Sequence, residues 1–300
     1  MSQLARASLR ARAVACLLSF ALGLGLLLAW AVPAWGRWIV PEPPAPPAEA
    51  TTLPADKAEN GPSAPAATPV PLPEMARVPI LMYHYVSPLP PDADRYRVDL
   101  TVLPETFRAQ LDYLAQAGYH PITLTDLYLY LTEGYPLPER PVILTFDDGY
   151  RDAYEVVFPM LLEYGFVGTF FVLATPAHFE WEPYLTWGQM AEMAAAGMDI
   201  QAHGRDHVDL RGRSYDYLVY QILGAREAIE YHTGQPVRFF CYPSGQYDAS
   251  VIAVLQSAGY WGAVTTRWGK SETLSGIFEI PRVRVRGGET LEQFASHLRE

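Results

Sequence analysis

The most constraining stretch of this chain is Pro141-Val142-Ile143-Leu144-Thr145-Phe146-Asp147-Asp148-Gly149-Tyr150. Its apolar and β-branched run reads as a strand covered on both faces, the habit of parallel sheets. The run then delivers two adjacent carboxylates and a glycine. A carboxylate taken out of water is costly unless it is paired or bound to a metal. Asp-Asp-Gly alone is also good turn chemistry. A second stretch tips the balance: Ile200-Gln201-Ala202-His203-Gly204-Arg205-Asp206-His207 follows another short apolar run and carries two imidazoles four residues apart. One aspartate and two histidines make a minimal ligand set for a divalent metal, with positions left for water and substrate.

The chain has 300 residues, half of them hydrophobic, enough for a sizeable core. Its net charge of -11 argues against a nucleic-acid partner and suits an enzyme acting on a neutral or cationic polymer. Of the two cysteines, Cys16 lies in an N-terminal apolar run and Cys241 far away, so no disulfide framework is expected. Arg6, Arg10 and Arg12 precede a charge-free run from Val14 to Ala34, with Trp30, Trp35 and Trp38 near its far end. Such a run is long enough to cross a bilayer core of roughly 30 Å, and the arginines put the N-terminus in the cytoplasm. Residues 1–40 are therefore expected to be a cytoplasmic tip and membrane anchor, with the rest extracytoplasmic. A cleaved signal peptide ending near Ala29-Trp30-Ala31 is the rival, although the run exceeds the usual length for one. Residues 41–76 are rich in proline and read as an extended, disordered linker. Residues 77–300 are left for a catalytic domain.

Within that domain strands are expected over 78–84, 121–124, 141–146, 168–173, 198–202, 237–242, 263–266 and 277–285. Helices are expected over 105–118, 127–131, 152–165, 190–196, 215–232, 248–258 and 290–299. Their alternation argues for an α/β fold around a parallel sheet, open or closed into a barrel. Active sites of such folds gather at the C-terminal ends of the strands. His84, Asp147, Asp148, His203 and Tyr242 all fall at or just beyond such ends. Adjacent side chains diverge there, so one aspartate can hold a cation while the other faces a water whose pKa the cation lowers. A histidine across the site suits the general acid, since its pKa lies near neutrality. His120, His178, His232 and His297 belong to no comparable motif and read as surface or loop residues.

These residues resemble a known family. Thr145-Phe146-Asp147-Asp148-Gly149 and His203-Gly204-Arg205-Asp206-His207 are similar to the first two motifs of the polysaccharide deacetylases, also called the NodB homology domain or carbohydrate esterase family four. The resemblance covers residues 78–300. It implies a distorted (β/α) barrel of about seven strands. It implies Asp147 as the general base and Asp148, His203 and His207 as ligands of a divalent metal, usually Zn2+. Phe239 to Gly245 resembles the third motif of the branch that deacetylates poly-N-acetylglucosamine, where a backbone N–H near Tyr242 and Pro243 helps bind the oxyanion. The opening Pro79 to His84 is similar to the same branch, which makes His84 the general acid. Trp261 and Arg282 correspond to pocket-wall and base-orienting positions. The chain departs from the family at Gly204, where Ser or Thr is usual, and at Ser244, where an aromatic is common. The expectation is a membrane-anchored, metal-dependent N-deacetylase of N-acetylglucosamine units in an envelope or extracellular polysaccharide. The alternatives are a non-catalytic glycan-binding module and an esterase acting on another acetylated polymer such as xylan.

Overall fold

Short runs rich in Ile, Val and Phe separated by amphipathic helices leave one economical arrangement: the strands pair side by side and the helices cover them. In a computed structural model of the chain, described over residues 72–299, seven strands do so as a closed ring. They are β1 (Ile80–Tyr83), β2 (Pro141–Phe146), β3 (Thr169–Val172), β4 (Asp199–Ala202), β5 (Phe239–Cys241), β6 (Gly262–Trp268) and β7 (Ile280–Arg284). Each pairs in parallel with the next in sequence, and β7 pairs back onto β1 with Leu81 beside Val283. This is a parallel (β/α) barrel. The expected cytoplasmic tip and anchor, and nearly all of the expected linker, lie outside the described residues. Among the described residues no helix is long and apolar enough to cross a membrane. The fold already includes Ala76, buried and bonded through its backbone to Glu272.

The period-2 alternation of a strand sorts the buried side chains into two cores. Leu81, Tyr83, Val142, Leu144, Phe146, Phe170, Val172, Phe240 and Tyr242 belong to the larger cluster, shared with the surrounding helices. Ile80, Ile143, Phe171, Phe239, Cys241, Val264 and Ile280 belong to a second, inner cluster. The covering helices are α1 (Pro104–Gln116), α2 (Leu124–Glu133), α3 (Phe158–Tyr164), α4 (Trp187–Ala195), α5 (Tyr215–Thr233), α6 (Ala249–Ser257) and α7 (Leu291–Leu298). Helix α2 adds Leu124, Leu127 and Leu131 to the inner cluster.

The short helices Arg95–Leu100 and Ala174–His178 and the strand pair Tyr85–Val86 and Thr101–Val102 have no counterpart in the sequence reading, and two expected elements take another form. Residues 121–124 form only a two-residue strand, His120–Pro121, and Leu124 instead opens α2. A capping box explains the shift: Thr123 caps the helix and the Asp126 side chain bonds back to the Thr123 N–H. The helix expected over 152–165 begins with a π-turn, Ala153–Val157, before α3. Pro159 lacks the N–H that would have continued the ordinary ladder backwards.

Glu272 supplies a pH handle far from any expected catalytic residue. It is 1% exposed, accepts a bond from the Val78 N–H at 3.2 Å, and its other oxygen has no partner among the described residues. Burial pushes its pKa up to about 8. The folded value lies above the unfolded one, so its stabilising contribution is present at pH 4 and is lost as pH rises towards 8. Thermal melts followed by circular dichroism should therefore show the wild-type midpoint falling between pH 5 and 8. The Glu272→Gln midpoint should fall less and lie above wild type at pH 8. Parallel curves would overturn the account.

Candidate active site

Strand β2 ends in a sharp change of direction that presents its two carboxylates differently. Asp148 takes φ +71°, a left-handed conformation unusual outside glycine, and Gly149 follows at φ +70°. A Cβ on Gly149 would sit 3.2 Å from Val172 of β3, so glycine is needed both for the turn and for the close approach. Asp147 stays in register with the barrel interior, and Asp148 swings towards the loop after β4.

Asp147 is 3% exposed and is gripped by Arg282 of β7 through two bonds of 2.7 Å, one to each oxygen. Arg282 is itself fully buried, and its remaining donors reach the Thr265 carbonyl at 3.0 Å, the Thr145 hydroxyl at 2.9 Å and the Cys241 sulfur at 3.3 Å. Burial alone would raise the Asp147 pKa. The Arg282 guanidinium more than reverses this and holds the carboxyl well below the usual carboxylate range. Asp147 is therefore ionised throughout the neutral range.

His203 leaves the end of β4 with Nδ1 2.6 Å from the Cys241 carbonyl. A carbonyl only accepts, so Nδ1 carries the proton and Nε2 of the neutral ring offers its lone pair. That Nε2 lies 3.1 Å from Asp148 Oδ1, and His207 Nε2 lies 3.5 Å from the same oxygen. One ligand atom from each of Asp148, His203 and His207 falls within 4.8 Å of the others. Asp148 Oδ1 is buried and has no hydrogen-bond partner among the described residues. Burial lowers the His203 pKa, yet the contacts with Cys241 and Asp148 raise it well above the ordinary histidine value. The cluster thus demands positive charge between its lone pairs. Two nitrogens, one carboxylate oxygen and an open side at the half-exposed His207 fit a divalent ion such as Zn2+.

At Gly204, where the resemblance implies Ser or Thr, the backbone itself favours glycine. Its φ of +95° lies in the region that favours glycine, and a Cβ would meet the Asp206 carbonyl at 3.3 Å. The loop is instead tied down by buried Gln221 of α5. Its Oε1 accepts from the Arg205 and Asp206 N–H groups, and its Nε2 donates to the Asp206 carboxylate at 2.7 Å. Sequence reasoning missed Gln221. A polar side chain at an apolar position of the long helix was the available signal.

His84 follows β1 with Nε2 4.0 Å from Asp147 Oδ2, across the site and beyond hydrogen-bonding reach. Burial holds its pKa below the ordinary histidine value, against the upward pull of Asp147 and Asp148. Tyr242 follows β5 and is buried. Its hydroxyl donates to the Phe278 carbonyl at 2.9 Å, and its N–H remains in the sheet, 3.3 Å from the Val264 carbonyl. Pro243 opens the tight turn Pro243–Gly245 beside it. Trp261 is a correction. It precedes β6, at the opposite end of the barrel from the carboxylates, stacked on Tyr128 of α2 at 4.7 Å with the Arg238 guanidinium 4.2 Å from its ring. It walls no part of this site. An aromatic at the start of a strand lies a full strand length from the catalytic rim, which its motif context did not reveal.

Comparison with known proteins places the chain in a family. A sequence model of the family described as Polysaccharide deacetylase matches residues 134–263. The chain is 30% identical over 223 residues to "Putative polysaccharide deacetylase YxkH" of Bacillus subtilis (strain 168), covering 74% of this chain and 76% of that one. The chain belongs to the polysaccharide deacetylase family. The Streptococcus pyogenes deacetylase PplD, solved in complex with acetate, superposes on this deacetylase with a TM-score of 0.70 at 26% identity, covering 75% of this chain and 99% of that one. The poly-beta-1,6-N-acetyl-D-glucosamine N-deacetylase of Escherichia coli (strain K12) is 26% identical over 242 residues, 66% of this chain and 36% of that enzyme. This chain thus spans about a third of the length of the Escherichia coli enzyme.

Two outcomes follow for this deacetylase. After dialysis against trace zinc, His203→Ala should hold almost no metal by mass spectrometry, whereas Asp147→Asn should hold wild-type amounts. Loss of metal from both would show that Asp147 is not separate from the ligand cluster. In urea unfolding, Asp147→Asn and Arg282→Gln should each cost about 3–5 kcal/mol by stranding a buried partner, and the double variant much less than their sum. Additive costs would overturn the pairing.

Proposed function

We propose that this deacetylase removes N-acetyl groups from N-acetylglucosamine units of a cell-envelope or extracellular polysaccharide, using a divalent cation, Zn2+ by its donor set. The observation that carries the reading is the division of labour at the end of β2. Asp148 turns to the two imidazoles, and Asp147 stays ionised beside them in the grip of Arg282. The named activity of the Escherichia coli relative supports the N-acetylglucosamine substrate.

Asp148, His203 and His207 would hold the cation, which would supply Lewis acidity and lower the pKa of a water at the site. Asp147 takes the proton of the attacking water as the new C–O bond forms at the acetyl carbonyl. In this reading a backbone N–H of the turn after Tyr242 stabilises the oxygen that gains charge. The Gly245 and Gln246 N–H groups are already bonded to the Tyr242 and Pro243 carbonyls, which leaves that of Ser244. His84 gives a proton to the nitrogen as the C–N bond breaks, releasing acetate and a free amine. Arg282 is a positioning residue, fixing the Asp147 carboxylate and keeping it charged. The charge-free run from Val14 to Ala34 supports a tethered, extracytoplasmic location for this chemistry.

The test is acetate release from poly-N-acetylglucosamine, from N-acetylglucosamine oligomers and from acetylated xylan, with and without chelator. The expected result is release from the first two, abolished by chelation and restored by Zn2+. Asp147→Asn should be slower by about 10²- to 10⁴-fold. Release from xylan alone would overturn the substrate assignment.

A further inference from the structure

The segment between β3 and α4 joins the two loops that carry the metal ligands. Its start is bonded to the histidine loop, Ala174 N–H to the Gly204 carbonyl at 3.2 Å and Thr175 N–H to that of Arg205 at 2.8 Å. Its end is bonded to the aspartate loop, Leu185 N–H to the Gly149 carbonyl and Arg151 N–H to that of Pro183, both at 2.9 Å. What lies between is therefore held on the catalytic rim. It reads Phe179-Glu180-Trp181-Glu182-Pro183-Tyr184, alternating aromatic and acidic residues before the proline. Tight turns fix it: Trp181 N–H donates to the Pro176 carbonyl, Tyr184 N–H to that of Trp181, and Glu180 sits at φ +50°.

A file of rings runs outward from the reacting groups along this segment. Tyr85, next to His84, stacks on Tyr150, next to Gly149, at 3.8 Å, and Tyr150 stacks on Tyr184 at 5.2 Å. Trp181 follows at 6.3 Å and Phe179 at 6.4 Å. The outer two are 49% and 63% exposed, so the end of the file presents ring faces to solvent beside the site. Glu182 is almost fully solvent-facing, with only a loose 3.9 Å contact to Arg151. Glu180 is exposed and has no ion-pair partner among the described residues.

Exposed rings offer flat apolar faces, and Trp and Phe faces also attract ammonium groups. Interleaved carboxylates add charge selectivity. An acetylated sugar carries a neutral amide, whereas the product sugar carries an amine that is protonated near neutral pH. We propose that Phe179, Glu180, Trp181 and Glu182 form a subsite for a neighbouring, already deacetylated sugar of the same polymer chain. Its ring lies on the exposed aromatics and its ammonium faces the carboxylates. The inference rests on the reading of the site as an N-acetylglucosamine deacetylase. It makes the enzyme faster next to sites it has already processed.

The test compares kcat/KM for acetate release from fully acetylated N-acetylglucosamine oligomers and from the same oligomers bearing one free-amine sugar, using the full chain. Wild type should favour the second by about threefold or more at low salt, and the ratio should fall as salt screens the carboxylates. The ratio should drop to near one in the Glu180→Gln/Glu182→Gln double variant. Trp181→Ala should raise KM for both oligomers, with metal content unchanged. In parallel, titration calorimetry with a fully deacetylated glucosamine oligomer should show binding to wild type that weakens in the double variant. A wild-type ratio of one, or a ratio untouched by the double variant, would overturn the subsite. If no oligomer releases acetate, the deacetylase reading fails instead, and the calorimetry alone decides the subsite: binding weakened by the double variant supports it, and no binding or unchanged binding overturns it.

Discussion

A fully buried guanidinium pinned against a fully buried carboxylate organises this barrel. Arg282 and Asp147 come from strands that are distant in sequence, and β1 lies between them in the ring. Their contact asks the interior to accept two charges, which is tolerable only because every donor of Arg282 finds a partner. The partners come from β2, β5 and β6, so the pair ties four strands together at one level of the barrel. A barrel designed for stability alone would fill that level with aliphatic side chains. Here it is a polar layer above an apolar plug.

The same alternation that divides the core in two generates that layer. Along β2, Ile143 faces the inner cluster, Leu144 the outer and Thr145 the inner layer, where its hydroxyl meets Arg282. One more inward step is Asp147. Position parity thus decides that the first aspartate joins the interior pair and the second turns outward to the imidazoles. The left-handed Asp148 and the glycine after it are the local cost of changing direction at that point.

Much of this was legible in the chain because buried parallel strands write themselves as uninterrupted apolar runs. Strand β2 has the limits expected for it, and the helix of residues 215–232 needs only one more residue. The runs also place His84, Asp147, Asp148 and His203 at strand ends, from which proximity follows once the sheet is parallel. Local competition was harder to see. The capping box at Thr123 overrode the strand reading of residues 121–124, and one proline turned the start of a helix into a π-turn. Trp261 shows the limit of motif context, since a residue one step before a strand and one step after it occupy opposite ends of a barrel. The roles of Gln221 and Thr145 depend on long-range pairing that no single-chain pattern encodes.

The bond from His203 Nδ1 to the Cys241 main chain carries a consequence for how such a centre can change over time. Because the acceptor is a peptide oxygen, no exchange of side chain at position 241 removes it. The thiol there serves Arg282, and the acceptor that orients the imidazole does not depend on it. Tautomer and ring angle are thus inherited from the path of β5, and they endure as long as the strand does.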